Sequence, residues 1–106
     1  MMPVQVIVVM GVSGSGKTTV GRRLAERLGW RFIEGDELHS AESVAKMEAG
    51  EPLTDEDRQP WLLELRARID RAIERGQRCV IACSALKRAY REALRAPGVR
   101  FAYLDV

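Results

Sequence analysis

Eight residues near the amino terminus, Gly11-Val12-Ser13-Gly14-Ser15-Gly16-Lys17-Thr18, satisfy the pattern G-x-x-x-x-G-K-[ST] in full. Glycine-rich backbone can wrap with its N–H groups pointing inward. A helix starting at the end of such a loop adds the positive end of its dipole, so the stretch forms a cradle for the β-phosphate of a nucleotide. In this pattern Lys17 reaches the β- and γ-phosphates and the Thr18 hydroxyl ligates Mg2+. Thr19, next in the first helical turn, is counted with the phosphate-binding residues. A Gly/Ser-rich turn could fit the pattern by accident, but an apolar run at 4–10 precedes it and helix-patterned sequence follows. Two more carboxylates, Glu34 and Asp36 on either side of Gly35, fall at the C-terminal edge of a second apolar stretch, where open α/β sheets bind their ligands.

Strands and helices must hold these groups. Residues 4–10 are nearly all apolar and β-branched, as in a central parallel strand covered on both faces. Val20, Leu24 and Leu28 recur at four-residue intervals and predict a helix that Gly29 stops. Residues 30–33 read as a second strand. Residues 40–49 read as a short helix with Ser40 as N-cap, Val44 and Met47 on one face, and Gly50 closing it. After a turn at Glu51-Pro52-Leu53, Thr54 and Asp57 form a capping pair, and Trp61, Leu62, Leu65, Ile69, Ala72 and Ile73 keep helical spacing up to Gly76. Pro60 either kinks that helix or marks its restart. Residues 79–83 form a third strand, Ser84 can cap a helix through Leu86, Ala89, Tyr90, Ala93 and Leu94, and residues 99–104 form a fourth strand. Alternating strands and helices predict an α/β fold with a mostly parallel sheet, right-handed crossovers and the phosphate-loop strand at its centre.

At 106 residues the chain fits one domain spanning 1–106. Hydrophobic content of 46% and charged content of 30% are ordinary for a soluble globular protein, and no apolar run reaches membrane-spanning length. Residues 1–5 lack a charged leader region, so a cytoplasmic location and no membrane partner are expected. A net charge of +2 is too small to argue for nucleic acid, and the basic residues alternate with acidic ones as on solvated helix faces. Cys79 and Cys83, four residues apart on one strand, would stand about 13 Å apart, too far for a disulfide, and no Cys/His spacing suggests zinc.

Three further stretches specify much more than the phosphate loop alone. They are Gly35-Asp36-Glu37-Leu38-His39, the long string from Lys46-Met47-Glu48-Ala49-Gly50-Glu51-Pro52-Leu53 through Thr54-Asp55-Glu56-Asp57-Arg58-Gln59-Pro60-Trp61-Leu62, and Cys83-Ser84-Ala85-Leu86-Lys87 followed by Tyr90-Arg91. Together with the loop they make nearly the whole chain resemble the gluconokinase family, small P-loop kinases related in fold to shikimate and nucleoside monophosphate kinases. Ser40, Ser43 and Glu34 stand where that family commonly has Pro, Asn and Asp. The resemblance implies a P-loop NTPase-type three-layer αβα fold, ATP and Mg2+ as cofactors, and phosphorylation of gluconate or a similar sugar acid. Relatives of that family continue into an arginine-bearing lid, a fifth strand and an adenine-contacting segment, which the resemblance implies are missing after Val106.

Transfer of a γ-phosphoryl group relies on positioning and charge neutralisation, so the site needs a cradle, a metal, a cation and a group that orients the acceptor hydroxyl. Asp36 is the candidate to accept the hydroxyl proton or to hold metal-bound water, with capping of the next helix as its plainer role. Lys17 and Asp36 are the catalytic candidates, Thr18 and Asp36 the metal-binding ones. A sugar acid needs cations and hydrogen-bonding side chains, and His39, Lys46, Arg58, Ser84, Lys87 and Arg91, beside Asp36, supply them. Arg58 can grip a carboxylate bidentately or form an ordinary helix-face ion pair. Lys87 and Arg91 share a helix face at i,i+4. Trp61 and Met47 read as core. The alternatives are a shikimate-kinase-like enzyme and a nucleotide-binding fragment with little or no turnover, in which an uncovered fourth strand allows self-association such as a homodimer.

Overall fold

The computed structural model describes residues 3–11, 16–84 and 87–104; the expectations for Val12, Ser13, Gly14, Ser15 and Leu86 lie outside the described residues. Four strands, β1 (Val6–Gly11), β2 (Arg31–Glu34), β3 (Cys79–Ser84) and β4 (Val99–Tyr103), form one parallel sheet in the order β2-β3-β1-β4. The helices are α1 (Lys17–Leu28), α2 (Ala41–Glu48), α3 (Asp55–Glu74) and α4 (Arg88–Leu94), and a 3-10 turn, Gly35–Leu38, follows β2. β1 is central, as its β-branched composition predicts. β2, however, pairs with β3 and not with β1.

The two middle strands are apolar up to their last residues because both faces are covered, and successive side chains divide between the layers. Val6, Val8 and Met10 of β1 and Cys79, Ile81 and Cys83 of β3 join Trp61, Leu62, Leu65 and Ile69 of α3 and Tyr90 and Leu94 of α4 in one core. Val9 and Val80 face the other way and pack with Ala25 of α1, beside Leu24 and Phe32. The result is a three-layer αβα architecture. Leu65 and Ile69 are fully buried, each contributing about 1.5–3 kcal/mol relative to exposure.

Several local expectations are corrected by packing. The stripe of α1 that faces the sheet is Lys17, Gly21 and Ala25, while Val20 and Leu28 are exposed. Gly21 decides this: a Cβ there would lie 2.9 Å from Phe32 Cε1, so the helix seats its smallest residue on β2. On α2, Val44 and Met47 are likewise exposed, and the buried residue is Ser43, whose hydroxyl donates to the Asp57 carbonyl at 3.2 Å. Ser40 caps α2 as expected, and Thr54 with Asp57 forms a full capping box on α3. α3 runs through Pro60 without a break. The carbonyl deprived of a helical donor is that of Glu56, which is exposed and open to water.

Candidate functional site

The phosphate end is set by β1 and α1. β1 stops at Gly11, beside Ser84 at the end of β3, and α1 starts at Lys17 after Gly16, which is left-handed at φ 88. Lys17 is buried, with Nζ 3.3 Å from Asp36 Oδ2. The Thr18 hydroxyl donates to Glu34 Oε2 at 2.6 Å, and Glu34 Oε1 is buried with no partner among the described residues. Thr19 is exposed.

Asp36 sits where the two halves of the site meet. Its Oδ1 accepts the Ser84 backbone N–H at 2.9 Å, and its Oδ2 accepts the Ser84 hydroxyl at 3.0 Å beside Lys17. Three donors therefore fix the carboxylate. The 3-10 turn reaches β3 because residue 35 is glycine: a Cβ there would meet the Ala82 carbonyl oxygen at 2.8 Å. The plainer role of Asp36 as a helix cap is overturned, since Ser40 caps α2. So is the cap role of Ser84, because β3 extends through it and α4 has Lys87 at its N-cap.

Next to Asp36 opens a cavity of about 500 Å3, walled by the turn 50–53 and by His39, Met47, Arg58, Trp61, Ser84, Lys87 and Tyr90. Trp61 supplies a fixed floor. It is nearly fully buried, and its indole N–H donates to the Gly35 carbonyl at 2.8 Å. His39 stacks on Trp61 with ring centroids 4.5 Å apart and planes 16° apart. Burial lowers the His39 pKa from its ordinary 6.5, Arg58 pushes the same way, and Asp36 partly opposes them. A neutral imidazole presents one donor and one acceptor, and His39 Nδ1 has no partner among the described residues.

The cationic rim is held by Asp55, the first residue of α3. Lys87 Nζ lies 3.0 Å from Asp55 Oδ1, and the Tyr90 hydroxyl bonds the same oxygen. Those two bonds and the lysine charge hold the Asp55 carboxyl below the usual carboxylate range. The Arg58 guanidinium lies 6.0 Å over the Tyr90 ring, within cation–π range.

Of the acceptor candidates, His39, Arg58, Ser84 and Lys87 line the cavity with Asp36 adjoining. Lys46 does not: its Nζ meets both carboxylate oxygens of Asp57 at 3.0 Å and ties α2 to the start of α3. Arg91, one turn beyond Lys87, is also outside the lining, with Nε buried and unpartnered among the described residues. Trp61 and Met47, which read as core, line the cavity, and Met47 is exposed. Asp55 and Tyr90, which hold this rim, are not among the residues that the sequence marks for the site. Their signal was the capping box, which places Asp55 in the first turn of α3, and the three-residue spacing from Lys87 to Tyr90.

Comparison with known proteins places the fold and sequence among relatives. Residues 6–105 match the family described as an AAA domain. The gluconokinase of Gluconobacter oxydans strain 621H is 52% identical over 101 residues, covering 93% of this chain and 57% of that protein. The chain belongs to the family described as an AAA domain, and along most of its length it is similar to gluconokinases. An unliganded sugar kinase structure from Janibacter sp. HTCC2649 superposes with a TM-score of 0.91 at 50% identity, over 97% of this chain and 61% of that one. A shikimate kinase from Acinetobacter baumannii, solved with shikimate, gives a TM-score of 0.57 at 25% identity, over 97% of this chain and 57% of that one. The chain spans about half the length of the curated relatives it matches. It is a member of a sugar- and shikimate-kinase-like phosphotransferase family.

Proposed function

We propose that this chain takes part in ATP-dependent phosphorylation of a hydroxyl on a small sugar acid, with gluconate the first acceptor to test and 6-phosphogluconate the product. One observation carries the reading: a single carboxylate, Asp36, touches the phosphate-loop lysine on one side and Ser84, on the cavity wall, on the other. In this role Lys17 and the backbone of Gly11 to Gly16 hold the phosphates, and Asp36 orients the acceptor hydroxyl and takes up its proton. Arg58 and Lys87 hold the acid group of the substrate, and the His39 imidazole exchanges hydrogen bonds with its hydroxyls.

Among the described residues no group of three or more His, Cys, Asp or Glu side chains is placed to hold a metal by itself. The oxygens present nonetheless suit Mg2+, a hard cation that keeps most of its ligands as water and phosphate. Thr18 would contribute its hydroxyl, and Glu34 Oε1, without a partner among the described residues, is a buried oxygen able to accept from metal-bound water. When bound, the ion neutralises phosphate charge. The free, buried Cys79 and Cys83 fit a reducing compartment, and we place the protein in the cytoplasm. No helix among the described residues is long and apolar enough to cross a membrane.

A second reading is favoured by the chain's coverage of about half of its relatives. In it these residues bind the phosphates and the acceptor but turn over little or not at all unaided. A coupled ADP-release assay with gluconate, shikimate and nucleoside monophosphates, run beside an ATP titration with Mg2+, separates the readings. Turnover of gluconate supports the first; ATP binding without turnover of any acceptor supports the second. Turnover of a rival acceptor but not gluconate overturns the sugar-acid assignment.

A further inference from the structure

Basic residues that alternate with acidic ones in sequence do not stay dispersed in the fold. Arg68 and Arg71 of α3 and Arg75, its C-cap, recur at three- and four-residue spacing and, with Arg31 and Gln77, line a cavity of about 160 Å3. Arg31 opens β2, and its backbone N–H bonds the Arg78 carbonyl at 3.2 Å, bringing Arg78 to the same end of the sheet. Among the described residues only Arg68 of this group has a carboxylate within ion-pair distance, Glu64 at 2.9 Å. Guanidinium groups one turn apart on a helix repel each other, so the cluster costs stability that an anion would restore. It lies at the opposite end of the sheet from the phosphate loop, since β3 runs about 16 Å from Cys79, beside this cavity, to Ser84, beside Asp36.

We propose that this arginine-lined cavity binds a small, multiply charged phosphate anion at a site separate from the phosphate loop. Guanidinium forks match phosphate oxygens bidentately, and forks arriving from a helix face and from the start of β2 surround a compact anion. Single-stranded nucleic acid would need a long basic track with stacking aromatics; here the cavity is small, and the neighbouring Trp30 lies under Arg78.

The test is a calorimetric titration of the full chain with pyrophosphate at low salt, carried out in Lys17→Ala to silence the phosphate loop. Binding is expected to persist there and to weaken at least about tenfold when Arg71→Gln and Arg75→Gln are added. A parallel NMR titration of the unsubstituted protein should show saturable shifts at the backbone amides of Arg31 and Gln77, so the site can be located even if a variant fails to fold. Arms with inorganic phosphate and with a phosphorylated sugar acid identify the source of the anion by which binds more tightly. Absence of shifts at Arg31 and Gln77, binding unaffected by the arginine substitutions, or tighter binding of an RNA oligonucleotide than of pyrophosphate would each overturn the proposal.

Discussion

Gly35→Ala is the most informative single substitution, because one added methyl group tests both the packing and the placement of Asp36. The new Cβ would lie 2.8 Å from the Ala82 carbonyl oxygen, 3.1 Å from Cys83 Cβ and 3.2 Å from Ile81 Cγ2. Ala82, Cys83 and Ile81 are fully buried in the middle of the sheet, so none can yield cheaply. Overpacking of this kind costs about 1–3 kcal/mol, which for a chain of this size lowers Tm by about 4–12 °C. Relief comes by lifting the 3-10 turn off β3. That stretches the 2.9 and 3.0 Å bonds from Ser84 to Asp36 and the 2.8 Å bond from Trp61 to the Gly35 carbonyl. A misplacement near 1 Å at a reacting group costs about 100-fold in rate. Gly76→Ala is the control: its φ is 64 with nothing within 4 Å, so it carries only the left-handed penalty of about 1–2 kcal/mol and leaves the site alone. Thermal unfolding by circular dichroism reads the first effect, and acceptor titration with the coupled kinase assay reads the second. Gly35→Ala with acceptor affinity and rate equal to those of Gly76→Ala would refute the reasoning, whatever its Tm.

The remaining predictions use the same assays. Lys17→Ala should abolish turnover and weaken ATP binding sharply; ATP affinity equal to that of the unsubstituted protein would remove Lys17 from the phosphate site. Asp36→Asn should lower kcat by about 100-fold or more with little loss of ATP affinity, since it removes the proposed proton acceptor and leaves Lys17 free for phosphate; an unchanged kcat rules out the base role. Because His39 is harder to protonate folded than unfolded, stability should be full above its ordinary pKa of 6.5 and decline as pH falls below it. His39→Gln should lose that part of the slope, and an identical pH profile would contradict it. Burial holds the Cys83 thiol at about 12 and raises Cys79 as well, so neither should react with iodoacetamide in the folded protein at pH 8; rapid alkylation under native conditions would show the core to be more open than described.

What the chain reveals before folding depends on how local the cause is. The β-branched run at 4–10, the glycine stop after α1 and the Thr54–Asp57 capping box act within a few residues; the run is found as a strand at 6–11, and the stop and the box are found where the sequence places them. Asp36 stands out in the sequence for the same reason, as part of a short pattern, and it is found beside Lys17. What escapes is decided between elements. The buried stripe of α1 shifts because Gly21 must clear Phe32, and Lys46 turns from the cavity because Asp57, eleven residues on, offers both oxygens. Trp61 and Met47 are apolar and helically spaced, as core residues are. Only the tertiary fold shows that Trp61 is also the surface on which His39 stacks. Dispersed arginines likewise become a cluster only when the end of α3 meets the start of β2.

The sheet order explains why the linking residue stands on a turn and not on a strand. Glu34 at the end of β2 reaches Thr18 of α1, whereas Lys17 is met from the turn; with β3 inserted between them, β1 and β2 are two strand spacings apart, a gap of about 10 Å. The chain bridges part of it with the 3-10 turn, which leaves β2 and folds over the end of β3. The turn can lie that close because Gly35 has no side chain, and it is held there by the Trp61 indole. Asp36 then projects from the turn to reach Ser84 on β3 and Lys17 at the start of α1. A carboxylate at the end of β3 would have taken the position of Ser84, which lines the cavity. Routing the carboxylate from β2 keeps both groups. It also makes the placement of Asp36 depend on Gly35 and on Trp61, and Trp61 is at the same time a wall of the cavity beside it.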